Sequence, residues 1–361
     1  MATSEKEEER DWSELPPELI HVIAKKVPDL VDFIRFRAAC KTWRSSAPLS
    51  DPPDQLPWLL ELYYPCSLRR RQRYYSVSSG KTLMIPFTRR KLKLRSWIRR
   101  GVSSHYLAFN DEYHTVSFFN PLTKSWFSLP PMRRCLHYGT PWMVWTGTDP
   151  IRDRCIVVVD RNRTLYNEIG GWFFLDPHNN EWVEQEGYFF STCYWQGMIF
   201  STHKGWPTKV FDAYSKELLH DIPPPENEVL KDLYVKGDLH WNLRKSYLIV
   251  SSGVILRVSW YNDRDRNIIE ESVFHIYRLD FETADDKPCW VRVADIGDQI
   301  LFLEEMNGFS ITARPSTGFR KGCIYFIDPE ENKPYIHDVL AGTVERLPCP
   351  FKKCTWFLPG L

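Results

Sequence analysis

Gly80-Lys81-Thr82 has the residue types that end a phosphate-binding loop, in which backbone amides and a lysine contact the phosphates of a nucleotide. The motif also needs an earlier glycine, but that position holds Tyr75. Pro86 would interrupt the helix that should follow. The spacing therefore predicts a hairpin turn rather than a nucleotide site.

The acidic residues of Asp263-x-Asp265-x-Asn267 resemble the start of a calcium-binding loop. Ile268 stands where such a loop requires glycine, and Phe274 stands where it requires a bidentate glutamate. We expect a solvated turn here. Asn162-Arg163-Thr164 matches a glycosylation site, which has no consequence without a secretory signal.

The nine cysteines and ten histidines are scattered, with no Cys-x-x-Cys, His-x-x-x-His or Gly-x-Ser-x-Gly motif. Cys349 and Cys354 form the closest cysteine pair, but no second pair or histidine cluster supports zinc. A Cys–His catalytic pair that meets only in space stays open. We expect a non-catalytic protein with no cofactor, no metal and mostly buried, free thiols.

Between Leu62 and Asn110 the chain has twelve Lys or Arg and no acidic residue. With interleaved aromatics, this basic strip could contact an acidic partner protein or nucleic acid. The alternation in Lys91-Leu92-Lys93-Leu94-Arg95 equally indicates a strand with one solvated face, which we favour. The candidate partner-binding residues are Arg69, Arg70, Arg71, Arg73, Arg89, Arg90, Lys91, Lys93 and Arg95.

The overall composition is that of a soluble globular protein: 43% hydrophobic, 26% charged and 15% aromatic over 361 residues. A net charge of +1 implies no general binding of polyanions. No apolar run is long enough to span a membrane, and residues 1–10 are charged where a signal peptide is apolar. We expect a disordered segment over 1–10 and a location in the nucleus, the cytoplasm or both.

Residues 11–50, which we call the helical module, show a period of 3.6 in three short segments. Pro16-Pro17 and Glu18 are typical of a helix start, and apolar residues from Leu19 to Val27 define one face. A second helix begins near Leu30, and a third covers about 40–47. So small a unit with so many apolar residues either binds a permanent partner or caps a larger domain.

The module resembles the F-box, through Leu15-Pro16-x-Glu18-Leu19-Ile20-x-x-Ile23, then Leu30 to Phe33, then Cys40-Lys41-x-Trp43-Arg44. The resemblance implies that it binds a Skp-type adaptor, and through it a cullin, by an apolar face. The residues that would form or support this adaptor-binding face are Leu15, Pro16, Leu19, Ile20, Ile23, Leu30, Ile34 and Trp43.

Residues 51–65 contain four prolines, which predicts an extended linker, and residues 66–361 are rich in short strand patterns. Turn motifs recur through this part of the chain, each an Asn or Asp followed by a polar turn and a second strand. They start at Asn120, Asp176, Asp212, Asp280 and Asp338. Repeated short strands favour a β-propeller or large sandwich, and the length allows six or seven blades.

The β-rich part also resembles the propeller-like domain of unknown function that follows the F-box in a large plant family. The strings that carry this resemblance are Asn120-Pro121-Leu122-Thr123, Tyr247-Leu248-Ile249-Val250-Ser251-Ser252-Gly253, Gly297-Asp298-Gln299-Ile300-Leu301-Phe302-Leu303, Cys323-Ile324-Tyr325-Phe326 and Trp356-Phe357-x-Pro359. The expected fold is mainly β, with a small N-terminal α-helical module followed by a β-propeller-like domain.

Three functions follow as hypotheses. The first is a substrate-recognition subunit of a Skp–cullin–F-box ubiquitin ligase, which recruits an unknown target protein and does no bond chemistry itself. The second is a non-degradative protein that sequesters a partner such as a kinase or transcription factor. The third, which we favour least, is nucleic-acid binding through the basic strip at 69–100. Membrane partners are not expected.

Overall fold

The structure is a computed structural model of the chain. It describes residues 11–27, 30–53, 56–62, 71–86, 94–97, 106–111, 115–131, 141–145, 156–160, 171–176, 181–186, 191–202, 205–225, 241–263, 268–281, 287–304, 308–314 and 318–360. The predicted disorder at 1–10, the calcium-like turn after Asp263 and the glycosylation motif at Asn162 lie outside these ranges.

Three α-helices form the helical module, as the sequence predicts. A short 3-10 helix at Trp12–Glu14 comes first, with Asp11 capping it by accepting a hydrogen bond from the backbone amide of Ser13. The α-helices are α1 (Pro17–Lys25), α2 (Leu30–Ala38) and α3 (Lys41–Ser46). Proline in the first turn of α1 costs no hydrogen bond, because that amide has no partner within a helix.

The remaining described strands form six antiparallel or mixed sheets, which we call blades 1 to 6. This confirms the mainly β prediction, and the sheets found in the described residues fit the lower of the two predicted blade numbers. Blade 1 contains β1 (Trp58–Glu61), β2 (Arg71–Ser76), β3 (Lys81–Pro86) and β25 (Cys354–Phe357); blade 2 contains β4 (Leu94–Trp97), β5 (Leu107–Asp111), β6 (Val116–Phe119) and β7 (Trp126–Ser128); blade 3 contains β8 (Pro141–Trp145), β9 (Ile156–Asp160), β10 (Gly171–Asp176) and β11 (Glu181–Glu186).

The second half of the chain supplies the other three blades. Blade 4 contains β12 (Ser191–Trp195), β13 (Met198–Thr202), β14 (Thr208–Asp212) and β15 (Leu218–Ile222); blade 5 contains β16 (Trp241–Ser251), β17 (Val254–Asp263), β18 (Val273–Asp280) and β19 (Cys289–Val293); blade 6 contains β20 (Gln299–Leu303), β21 (Gly308–Thr312), β22 (Cys323–Ile327), β23 (Pro334–Asp338) and β24 (Thr343–Arg346). No helix in the described part of the chain is long and apolar enough to cross a membrane.

The predicted linker at 51–65 needs a correction, because it contains a strand of the first blade. Trp58–Glu61 pairs on one side with β2 and on the other with β25, the last strand of the chain. Trp58, Leu59 and Leu60 are all buried. The β domain therefore begins before residue 66, and its first blade is completed by residues from both ends of the chain.

Three of the turn motifs found in the sequence, at Asn120, Asp212 and Asp338, form hairpins that join the last two strands of their blades, and we call these the outer hairpins. Asn120 and Asp212 each accept hydrogen bonds from the backbone amides two and three residues later. Asp338 does the same. In blade 1 the outer hairpin begins at Ser76, whose hydroxyl accepts a hydrogen bond from the backbone amide of Ser79. The sequence pattern did not reveal this hairpin, because the pattern has Asn or Asp at its first position. The predicted hairpin at Gly80-Lys81-Thr82 is part of it.

Blade 5 contacts blades 4 and 6 through the strand at the edge of its sheet, β16. Ser191 Oγ of β12 accepts a hydrogen bond of 2.8 Å from the backbone amide of Leu248 in β16. Ser310 Oγ of β21 donates a hydrogen bond of 3.0 Å to the carbonyl of Val250, which also lies in β16. Consecutive sheets that contact each other through their edge strands are typical of a propeller.

Blade 6 departs from the four-stranded antiparallel pattern of the other blades. Its strand order is β21-β20-β22-β23-β24, so β20 and β22 run parallel and β21 lies at the inner edge. Gly308 opens β21, and a Cβ there would stand 2.7 Å from Ile249 Cδ1 of blade 5. The close approach of the two blades thus requires a residue without a side chain.

Candidate functional site

Helix α1 has two apolar faces, which lie about a third of a turn apart. Ile20 and Ala24 are four residues apart and fully buried. Leu19, Val22 and Ile23 form a second stripe, and their side chains are 52%, 49% and 41% exposed. The helix therefore packs inward through one face and presents the other to solvent.

The exposed stripe is the feature of the helical module that most needs a partner. Covering these three aliphatic side chains with another surface would remove apolar area from water, which is favourable in free energy. Trp12 and Leu49 of the same module are also exposed. Contiguous exposed apolar residues of this kind are typical of protein–protein contact sites.

The buried face of the module shares one hydrophobic core with blades 1 and 2. Ala24, Leu30, Phe33 and Ala47 of the module belong to it. From the β domain it contains Trp58, Leu60, Tyr74, Leu107, Phe119 and Phe357. The shared core agrees with the interpretation of the module as a cap on the β domain, and the exposed stripe of α1 leaves a separate face on which a partner could bind.

Burial bears on the role of two predicted site residues. Ile20 and Leu30, which the sequence placed among the adaptor-binding residues, are buried. Their side chains have almost no exposed surface, so in an adaptor-binding face they would be supporting residues rather than contact residues. Val22 was missed, although its place three residues after Leu19 put it on the same stripe.

The other predicted residues lie around the second and third helices. The ring of Trp43 packs on Phe36 with 4.4 Å between centroids, and its Nε1 donates a bond of 3.0 Å to the carbonyl of Trp12. Trp43, Leu15 and Ile34 are half-buried, and Pro16 is exposed. Trp43 therefore holds the chain before α1 against α2 and leaves part of its ring accessible.

The end of α1 is tied to the segment that enters blade 1. The ammonium of Lys25 bonds to the carboxylate of Asp51 and, at 3.0 Å, to the carbonyl of Pro52. His21 Nε2 lies 3.4 Å from the same carboxylate. Together with the shared core, these contacts fix the orientation of α1 relative to the β domain.

Most of the basic strip cannot be placed. Arg69, Arg70, Arg89, Arg90, Lys91 and Lys93 lie outside the described residues. Arg95 is in β4, where only the backbone is described. Arg71 begins β2 and is exposed, whereas Arg73 Nη1 lies 3.2 Å from the Glu61 carboxylate and its guanidinium packs 5.1 Å from the Phe351 ring centroid. Arg73 thus has structural partners of its own.

The described residues offer little for catalysis or metal binding. Within them, no group of three or more His, Cys, Asp or Glu side chains is arranged to hold a metal ion. Burial lowers the pKa of His275 and of His337 to about 4. His337 packs on the ring of Phe274, with 4.9 Å between centroids, inside the apolar interior between blades 5 and 6. The His337 ring is therefore neutral near pH 7 and packs as part of the core.

Comparison with known proteins agrees with this architecture. The sequence model of the KIB1-4 beta-propeller family matches residues 74–343. A putative F-box protein of Arabidopsis thaliana is 21% identical over 388 aligned positions, covering 96% of this chain and 93% of the relative. F-box only protein 7 of the same plant is 24% identical and covers 99% and 96%. A putative F-box/kelch-repeat protein is 24% identical and covers 88% and 87%.

These relatives are named F-box proteins, and each aligns with this chain over most of its own length. Both observations agree with a plant F-box protein that carries a propeller-like domain. The family match covers 270 of the 361 residues, counted from 74 to 343, and includes strands of all six blades. The chain belongs to the KIB1-4 beta-propeller family.

Proposed function

We propose that this protein is the substrate-recognition subunit of a Skp–cullin–F-box ubiquitin ligase. The observation that carries the proposal is the exposed stripe of Leu19, Val22 and Ile23 on a module whose other apolar face is built into the β domain. The similarity to plant F-box proteins supports the adaptor as the partner of that stripe. The propeller-like domain would hold the target protein.

The mechanism is proximity. A receptor that binds adaptor and target at the same time raises the effective concentration of the target near the ubiquitin-loaded enzyme. Because the module and blades 1 and 2 share a core, the β domain would present the target in one fixed orientation rather than on a flexible tether. The protein itself makes and breaks no bond, and it would act in the nucleus, the cytoplasm or both.

The test is a binding measurement between the full chain and a purified plant Skp-type adaptor. We expect the double variant Leu19→Asp, Ile23→Asp to bind at least about 30-fold more weakly, since charged groups would face an apolar partner surface. Both residues are exposed in the free protein, so the thermal stability should change little.

Leu340→Asp is the matched control, because Leu340 is 71% exposed but lies on the outer hairpin of blade 6. It should bind the adaptor as the wild type does. Undiminished binding by a folded double variant would remove α1 from the adaptor interface and with it the proposal.

Target lifetime separates degradation from sequestration. Partners captured from plant cells with the proteasome blocked would be followed after cullin inhibition. A partner whose half-life increases is a substrate of the ligase. A partner whose half-life ignores cullin inhibition points to a sequestering protein instead.

A further inference from the structure

Cys349 and Cys354 are brought together where the chain closes its first blade. Their sulfur atoms are 3.9 Å apart. Cys354 is buried and begins β25, where it pairs with Glu61 of β1. Cys349 is half-buried in the segment that leads from blade 6 to β25. Rotation about the side-chain bonds can shorten such a separation to the roughly 2.05 Å of a disulfide.

The surroundings of Cys349 favour its thiolate. The backbone amide of Phe351 points at the sulfur, with 3.4 Å between nitrogen and Sγ. The ammonium of Lys333 is held close by, where it donates a bond of 2.8 Å to the carbonyl of Phe351. An amide and a cation beside a sulfur stabilise its negative charge.

The two thiols differ in acidity. The hydrogen bond between the two sulfur atoms, assisted by the Phe351 amide and the Lys333 charge, lowers the pKa of Cys349 to about 7. The same hydrogen bond, together with burial, raises the pKa of Cys354. Cys349 is therefore the nucleophile of the pair, and Cys354 is the neutral thiol that stands next to it.

We propose that Cys349 and Cys354 form an oxidation site that reacts with peroxides and closes into an intrachain disulfide. The Cys349 thiolate attacks one oxygen of the peroxide, the O–O bond breaks, and hydroxide or alkoxide leaves with the electron pair. The sulfur becomes a sulfenic acid. The Cys354 sulfur then attacks the Cys349 sulfur, its proton passes to the departing oxygen, and water leaves. Two thiols are oxidised and one peroxide is reduced.

The disulfide would fasten the segment that leads from blade 6 to the first blade. Between the two cysteines, Phe351 is buried and packs against the Tyr75 ring with 6.4 Å between centroids. The backbone amide and the sulfur of Cys354 also face the carbonyl of Asn332, at 3.1 and 3.6 Å. Oxidation thus acts on a segment that already connects blade 6 with blade 1. This oxidation site is independent of the proposed function.

The test uses the reduced full chain, treated with a small molar excess of hydrogen peroxide and then alkylated. Trypsin cuts after Arg346, Lys352 and Lys353, so each cysteine falls on its own peptide, 347–352 and 354–361. We expect these two peptides joined, with the mass of both less two hydrogen atoms, and separated again by a thiol reductant. The join should form about tenfold faster than oxidation of the exposed Cys289.

Two variants make the result decisive. In Cys354→Ser the resolving thiol is gone while a hydroxyl can still donate a hydrogen bond to Cys349, so Cys349 should accumulate as a sulfenic acid that a cyclic 1,3-diketone traps. Cys289→Ser should form the join as the wild type does. Separate, alkylated peptides 347–352 and 354–361 under conditions that oxidise Cys289 would overturn the proposal. So would a disulfide that joins Cys349 to any other cysteine.

Discussion

The side-chain amide of Asn120 donates a hydrogen bond of 2.9 Å to the carbonyl oxygen of Gly360, although 240 residues separate the two in the chain. Its Oδ1 accepts bonds from the amides of Leu122 and Thr123 at 2.9 and 3.1 Å. One buried side chain therefore shapes the outer hairpin of blade 2 and holds the C-terminal residues against it.

Asn120→Ala removes all three bonds and leaves the Gly360 carbonyl without this donor. We expect a loss of about 2–3 kcal/mol in the free energy of unfolding, measured by urea denaturation followed by tryptophan fluorescence. Asp338→Asn keeps the oxygen that accepts the equivalent turn bonds and should stay within about 0.5 kcal/mol of wild type. Equal effects of the two changes would contradict the role assigned to Asn120.

Lys124 adopts a left-handed backbone conformation, with φ +60°, in the fifth position of its outer hairpin. Gly80 and Gly342 occupy the same position in two other hairpins, with φ +67° in both. Lys124→Gly should therefore stabilise the protein by about 0.5–1 kcal/mol, because glycine has no Cβ to clash. Lys124→Ala retains the Cβ and is the control. Stabilisation by alanine as well would show that loss of the lysine side chain is responsible.

Gly308→Ala should destabilise the protein by about 1–3 kcal/mol, since its Cβ would meet Ile249 Cδ1 at 2.7 Å and Leu303 Cδ2 at 3.0 Å. The clash is largest with Ile249, so the same change should cost less in an Ile249→Ala background. A double-mutant cycle on the melting temperature measures this coupling. Additive effects of Gly308→Ala and Ile249→Ala would mean that the backbone or side chains of blades 5 and 6 shift to relieve the clash.

Phe33→Ala should reveal how firmly the helical module is attached. Phe33 is buried in the core that α2 shares with blades 1 and 2, so its loss should cost about 3–5 kcal/mol. Leu19→Ala is the matched change on the exposed face of α1 and should cost less than about 0.5 kcal/mol. Limited proteolysis in the region of 48–57 would report whether the module separates before the β domain unfolds.

His337 makes stability depend on pH. Burial lowers its pKa to about 4 in the folded protein, below the usual 6.5, so the unfolded chain binds this proton first. The stabilising contribution is complete above about pH 6.5. It falls by up to about 1.4 kcal/mol per pH unit as the pH drops towards 4, and it changes no further below that.

His337→Phe should remove this part of the slope, which urea denaturation between pH 4 and 7 measures. The His275 side chain, whose pKa is lowered in the same direction by burial and the charge of Arg292, contributes a slope of its own. The variant should therefore keep a smaller pH dependence. An unchanged slope in His337→Phe would show that its ring is protonated or solvated in the folded protein.

Local sequence patterns were sufficient for the helices of the module and for several of the repeated turns. The helix start at Pro17, the apolar period of α1 and the turn residues at Asn120, Asp212 and Asp338 act over a few residues, and each was found where predicted. The F-box resemblance rests on the same kind of short-range spacing. These features depend on backbone chemistry within one or two turns, which the sequence contains directly.

Tertiary structure alone decided which residues meet across the chain. The apolar period of α1 does not say that Ala24 faces a core built from Trp58 and Phe357 while Leu19 faces solvent. A predicted linker became a strand because residues near the C-terminus pair with Trp58–Glu61. Cys349 and Cys354 acquire contrasting acidity only where their sulfurs, an amide and a lysine converge. Such contacts join distant segments whose pairing is fixed by the packing of the whole domain, and no local pattern encodes them.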